Sequence, residues 1–310
     1  MGEEAWRLWH SGRMIRMGLV GAGPWASMFH APMIANSPDA SLSAVWARRP
    51  QAAADLAGEY DASVAATFDD LLGSCDAVAF AVPPDIQSEL APRAAAAGKH
   101  LLLEKPLAFT LEGAERIATA VADAGVVSML MIRNRFDPAV ISLFNRAMGT
   151  RPRGAVASFI TGAALPGSPF ATPWRVERGA LMDIGPHVMD LIEALLGPVT
   201  DLKAAGDSLR WVAITTVHES GAVGQVSLSI TTPGADNSLR LALVTESGTF
   251  SLDDGQSADR PDPIDAVQQP IMAEFAASIA TGRDNPLGAQ RGLEIQRLLA
   301  AAEESMQRRG

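Results

Sequence analysis

The sequence predicts an α/β protein in two parts. A parallel sheet covered by helices on both faces comes first, and an α+β domain with antiparallel strands follows. Three observations carry this. Apolar runs alternate with helical stretches as far as about residue 132, a glycine turn joins the first run to the first helix, and beyond it the apolar residues alternate singly.

The first part reads in order. Ile15–Val20 is a short apolar strand ending in Gly21-Ala-Gly23, and a helix follows from about Pro24 to Asn36. Leu42–Trp46 is a strand, Gln51–Glu59 an alanine-rich helix, and Phe68–Leu72 a short helix. Ala77–Val82 is a continuous apolar strand stopped by Pro83 and Pro84. Ile86–Ala97 is a helix closed by Gly98, and His100–Leu103 is a strand. Thr110 caps a helix reaching Ala124, with Gly125 as its stop, and Val126–Ile132 is a strand. Five strands can be given ranges, and a count of about six by residue 132 is the size of a dinucleotide-binding domain. Strands apolar on both faces belong to a parallel sheet covered on both sides.

The second part has a helix near Ala139–Met148. Val226, Leu228 and Ile230 alternate with polar residues, as do Leu239, Leu241 and Leu243 with Arg240, Ala242 and Val244. Leu209–Val217 also alternates but is apolar on both faces. Long helices are expected at Met182–Leu196 and Leu287–Gln307. The expected division is a tail at 1–13, or a natural start near Met14, then domains at 14–133 and 134–310.

With 310 residues, 48% hydrophobic and 19% charged, the chain suits two ordinary domains and not a disordered or fibrous scaffold. A net charge of −10 implies no general polyanion-binding surface, so no nucleic-acid partner is expected. No apolar run is long enough to span a membrane, and the N-terminus has no secretory pattern, so the expected location is cytoplasmic. The one cysteine, Cys75, excludes an internal disulfide and reads as a small buried side chain.

Gly21-Ala-Gly23-Pro24-Trp25-Ala26, between a strand and a helix, is a dinucleotide loop with alanine at its third position. Gly21 permits the tight turn, and Gly23 lets the backbone approach a pyrophosphate at the helix N-terminus. At the end of the second strand an acid would bind the ribose hydroxyls of NAD. The chain instead has Trp46-Ala47-Arg48-Arg49-Pro50. Guanidinium groups pair with a 2′-phosphate where a carboxylate repels it. The expected cofactor is therefore NADP, with NAD as the second choice, and Arg48 and Arg49 as phosphate contacts.

Glu104-Lys105-Pro106 follows a strand directly, at the carboxyl end where ligands of such sheets bind. Lysine serves as an acid or base when its surroundings lower its pKa, though a lone lysine in a loop is usually a surface charge. Asp183 and His187 are four apart at the expected start of a helix, with Asp190 near the same face. A carboxylate beside an imidazole orients it. The same residues equally suit a helix cap and a hydrogen-bonded core histidine. Metal ligation is not expected.

Together and in this order, the motifs resemble the Gfo/Idh/MocA oxidoreductases, named for glucose–fructose oxidoreductase and inositol dehydrogenase. The resemblance runs through Gly21–Ala26, Ala79–Pro84, Gly98–Ala108, Asn134-Arg-Phe136, Trp174-Arg175, Gly179–Asp190 and Glu274–Gly282. It implies an N-terminal Rossmann domain and a C-terminal domain on an open, mainly antiparallel sheet, with the substrate between them. Lys105, Asp183 and His187 match the family's catalytic residues, and the Lys105–Pro106 bond a position often cis. The cofactor contacts it implies are Gly21, Gly23, Pro24, Trp25, Arg48, Arg49, Val82, Pro83, Glu104, Lys105, Trp174 and Arg175. The expected reaction moves hydride between the nicotinamide and a secondary alcohol or ketone of a sugar, cyclitol or related molecule. A catalytically silent NAD(P)-binding regulator is the alternative. A homodimer or homotetramer through the C-terminal sheet is expected. Two departures stand out. A histidine common after the Pro-Pro turn is absent from Asp85-Ile-Gln87, and the usual glycine pair before Asp183 is thinned to Arg178-Gly179-Ala180. His30 reads as structural.

Overall fold

The computed structural model describes residues 14–253 and 263–308. The expected tail at 1–13 lies outside the described residues. The chain forms two compact units. One holds the described residues up to Met131 together with Ile264–Leu293. The other holds those from Ile132 to Pro263 together with Glu294 onward. The units are therefore interleaved along the chain, a feature that one cut near residue 133 does not express.

The first unit contains β1 (Ile15–Val20), β2 (Ala40–Trp46), β3 (Ser63–Val64), β4 (Ala77–Phe80), β5 (His100–Leu103) and β6 (Ser128–Leu130). All pairs are parallel, in the order β3-β2-β1-β4-β5-β6. This is the doubly wound order, with its reversal between β1 and β4. The helices are α1 (Ala31–Ala35, after a π-helical stretch Ala26–His30), α2 (Pro50–Glu59), α3 (Phe68–Ser74), α4 (Pro84–Ala96) and α5 (Leu111–Ala124). Thr110 Oγ1 accepts from Gly113 N–H, and Gly125 ends α5 at φ 62°, as the sequence predicts. β4 stops at Phe80, two residues short of the expected strand, so Val82 and Pro83 lie in a loop. Cys75 is fully buried, and burial pushes its thiol up to about 11.

The returning segment completes this unit. Its helix α9 (Pro263–Thr281) places Gln268, whose amide donates to the Phe29 carbonyl at 3.2 Å. Leu130 N–H at the β6 edge donates to the Leu287 carbonyl at 2.7 Å, and Ser128 Oγ accepts from Ala289 N–H at 2.8 Å.

The second unit contains β7 (Pro152–Ile160), β8 (Val199–Asp207), β9 (Trp211–His218), β10 (Val223–Ser229), β11 (Leu239–Thr245) and β12 (Gly248–Asp253). The order is β12-β11-β7-β10-β9-β8, antiparallel except for β7 with β10. Its helices are α6 (Pro138–Ala147), α7 (Pro173–Asp183) and α8 (Gly185–Leu196), and α10 (Ala289–Gln307) crosses the division. α8 packs on β7 and β10. β9 alternates strictly, with Val212, Ile214, Thr216 and His218 buried and Trp211, Ala213, Thr215 and Val217 exposed.

The single helix expected at Met182–Leu196 is instead two, meeting at Ile184. Pro186 has no N–H to continue the α7 ladder, so it sits in the first turn of α8. Gly179, inside α7, takes φ 72° and ψ −161°. A Cβ there would lie 2.1 Å from the Ser208 carbonyl oxygen, which accepts from Ala180 N–H at 2.7 Å. One glycine of the thinned pair thus suffices, because only this position needs it. No helix among the described residues is long and apolar enough to cross a membrane.

Candidate active site

The glycine turn follows β1 at the point where strand order reverses. Gly21 has φ 113°, and a Cβ on it would lie 2.4 Å from the Ala81 carbonyl oxygen. Only glycine fits this approach of the β1 and β4 ends. A Cβ on Gly23 would meet nothing within 4 Å, so the backbone there faces open space. That space is a cavity of about 460 Å³. Gly21, Gly23, Arg48, Arg49, Val82 and Pro83 all line it, with Trp46 and Ile86, which were not among the expected cofactor contacts. Arg48 and Arg49 are its only charged lining residues among those described. Arg49 is also the N-cap of α2, which has no side-chain cap and no acid in its first turn. Its first N–H groups are therefore open to an anion.

Pro24 and Trp25 are not among the lining residues. Pro24 is exposed. Trp25 stacks on Phe29 at 4.7 Å between centroids, and its indole N–H donates to Glu104 Oε1 at 2.6 Å. Glu104 is buried, and His30 Nε2, on a ring with no exposure, lies 2.8 Å from the same oxygen. Lys105 N–H donates to Glu104 Oε2 at 3.1 Å. The carboxylate thus ties the glycine-turn helix to the Lys105 loop. Burial alone pushes the Glu104 carboxyl up. The hydrogen bond and charge of His30, the charge of Lys105 and the Trp25 indole outweigh it and hold the carboxyl below its usual value.

This has a testable sign. The folded-state pKa lies below 4.5, so Glu104 contributes stability that is complete above that pH and lost as pH falls through the folded value. The gap in unfolding free energy between wild type and Glu104→Gln is expected to narrow below pH 4.5. A gap that stays constant into acid contradicts the assignment.

Lys105 is half-buried after β5, and the Lys105–Pro106 peptide is cis. Gln87, buried on α4, donates to the Glu104 and Leu107 carbonyls and accepts from Glu104 N–H.

In the second unit, Asp183 ends α7 and His187 stands in the first turn of α8, both buried. Arg175 Nε donates to Asp183 Oδ1 at 2.9 Å, and its guanidinium stands 4.5 Å over the Trp174 ring. Arg175 Nη1 reaches Thr172 Oγ1 at 3.3 Å. Arg135 Nε donates to the buried Asp190 Oδ2 at 2.6 Å. Sequence reading named these acids and arginines without pairing them. A carboxylate inside the apolar stretch His187-Val-Met-Asp190-Leu-Ile does signal that a cation must reach it. Among the described residues no group of three or more His, Cys, Asp or Glu is placed to hold a metal ion.

The model of the oxidoreductase family with an NAD-binding Rossmann fold matches residues 15–132, and that of the GFO/IDH/MocA C-terminal domain matches residues 151–251. The chain belongs to the Gfo/Idh/MocA oxidoreductase family. Inositol 2-dehydrogenase of Rhizobium meliloti strain 1021 is 28% identical over 227 residues, 69% of this chain and 68% of that protein. The scyllo-inositol 2-dehydrogenase (NADP(+)) IolU of Bacillus subtilis strain 168 is 27% identical over 278 residues, 84% of this chain and 79% of that one. The crystal structure of GenD2 from gentamicin A biosynthesis, in complex with NAD, superposes with TM-score 0.83 over 94% of each chain at 22% identity, a likeness of fold.

As a Gfo/Idh/MocA protein the chain is an NAD(P)-dependent oxidoreductase. Its own residues fit the dinucleotide. Gly21 closes the turn, Gly23 leaves the space beside the backbone clear, and the cavity runs from the glycine turn to the end of β2.

Proposed function

We propose that the protein is an NADP-dependent dehydrogenase acting on a secondary alcohol, or the matching ketone, of a sugar, cyclitol or related small molecule. One observation carries the cofactor preference: Arg48 and Arg49 are the charged lining of the cavity beside β2, at the uncapped start of α2, with no acid there. A 2′-phosphate would receive charge-assisted hydrogen bonds from the guanidinium groups and the open N–H groups. The substrate class rests on the inositol dehydrogenases among the relatives.

When bound, the nicotinamide supplies the hydride chemistry. The protein holds the substrate and moves one proton. In oxidation, a His187 imidazole nitrogen takes the hydroxyl proton as the main carrier. Lys105 Nζ stabilises the developing alkoxide when charged, and as a neutral amine it is the second candidate to take the proton. Asp183 orients His187 and holds a substrate hydroxyl, while Arg175 Nε donates to its Oδ1. In reduction the same groups return the proton.

The test compares turnover with NADPH and NADH on a panel of polyols, lactones and sugars. NADPH is expected to be favoured in kcat/KM by about tenfold or more, the worth of one charge-assisted hydrogen bond. Arg48→Ala and Arg49→Ala should erode that ratio and leave NADH turnover in place. Equal efficiency with both cofactors overturns the preference.

The second-unit sheet also supports self-association. Trp211 and Val217 on β9, Val223 on β10, Val156 on β7 and Val244 on β11 are exposed on its outward face. Val217 pairs with Val223 across the strands, so the apolar surface is continuous there. Such a face, set against a second copy, forms a dimer interface. Trp211→Glu is expected to shift the protein to smaller size in sedimentation. An unchanged monomer for wild type and variant removes this reading.

A further inference from the structure

The geometry points to Gln87 as the positioning residue for Lys105. The inference rests on the proposed role of Lys105 and adds how that lysine is held.

β5 ends at Leu103, whose carbonyl still accepts from Met131 N–H at 2.8 Å. Beyond it the Glu104–Leu107 backbone leaves the sheet. Pro106 contributes no N–H with which a strand ladder could continue. Buried backbone groups need partners nonetheless. One side chain supplies three of them. Gln87 Oε1 accepts from Glu104 N–H at 2.7 Å, and Gln87 Nε2 donates to the Glu104 carbonyl at 2.8 Å and to the Leu107 carbonyl at 2.9 Å. Gln87 itself has no solvent exposure. Its amide therefore does what a neighbouring strand does elsewhere, and it grips the chain on both sides of Lys105-Pro106.

Two features make this more than packing. Gln87 follows Ile86, which lines the cavity, so one turn of α4 carries both the cavity wall and the grip. The position of Lys105 relative to that wall is thereby set by one rigid turn. The chemistry is also specific to an amide, for the loop needs two donors and one acceptor from a single side chain. A glutamate offers the acceptor but, as a carboxylate, no donor, and it turns charge toward two carbonyl oxygens. Protonated, it regains one donor.

The other titratable groups by this loop are Glu104, held ionised, His30 on the glycine-turn helix against Glu104, and Lys105 itself. Dividing variant rates by wild-type rates at each pH removes their common contribution.

The experiment uses the full chain with Gln87→Glu, Gln87→Leu and Lys105→Met, each checked for folding by circular dichroism and for NADP(H) binding by fluorescence titration. Gln87→Glu is expected to keep cofactor binding within about threefold while kcat at pH near 8 falls by roughly tenfold to 10²-fold, the scale of an ångström misplacement. Its rate relative to wild type should recover as pH falls toward 5, and Gln87→Leu should show no such recovery. Folded Gln87 variants with wild-type kcat overturn the proposal, as does a loss in Gln87→Glu that is equal at every pH. If Lys105→Met retains full activity, the reading of Lys105 fails instead, whatever the Gln87 variants do.

Discussion

Replacing Lys105 with methionine or His187 with asparagine is expected to lower the hydride-transfer rate by about 10²-fold or more, the contribution of a placed acid or base. The reason is chemical. The nicotinamide accepts or gives a hydride, but an alcohol cannot become a ketone while its proton has nowhere to go. Methionine keeps the length and apolar contacts of the lysine stem and removes only the Nζ. Asparagine keeps a hydrogen-bonding group near the imidazole position and cannot carry the proton. His187 is the larger expected loss, and Lys105 the smaller if its part is to polarise the oxygen. Single-turnover absorbance at the nicotinamide band reads the step directly. If neither variant slows it, the proton passes through other groups and the assigned site is wrong. If both bind NADP(H) as wild type does and only the chemical step is slow, the regulator alternative is also removed.

The second large effect is on stability. Arg135→Met is expected to destabilise the second unit by about 3–5 kcal/mol. It leaves the Asp190 carboxylate, whose side chain has no exposure, without the guanidinium 2.6 Å away. Adding Asp190→Leu to it should recover most of the loss, because removing both charges also removes the desolvation cost of each. Chemical denaturation of the two variants decides this. A loss in Arg135→Met of no more than about 0.5 kcal/mol, the range of ordinary surface changes, contradicts it.

Legibility in the sequence followed the range of the interactions. The glycine turn, the Thr110 cap and the Gly125 stop are local, and each stands where the sequence places it. β2, β5 and α2 were read within two residues of their ends for the same reason. β3 is two residues long and exposed, too short to show a period. β7 turns Ala155, Ala157 and Phe159 inward, and two alanines leave little contrast for a central strand. The break before α8 needed the consequence of Pro186 for the preceding ladder, more than the spacing of Asp183 and His187. Among site residues, types were visible and partners were not. Arg135 and Asp190 are 55 residues apart, and Glu104 and Trp25 are 79 apart. Gln87 carried only the signal of being a departure from a familiar pattern.

The return of Ile264–Leu293 to the first unit bears on how the chain is made. Every strand of the first sheet has left the ribosome soon after Leu130 does, yet the carbonyl of Leu287 that satisfies its β6 edge has not been synthesised. At about 5–20 residues per second, the nascent sheet waits roughly ten to thirty seconds with that edge open. In that interval the Leu130 N–H lacks its native acceptor. A fragment ending near residue 133 would lack the Leu287 carbonyl and keep that part of the β6 edge unpaired.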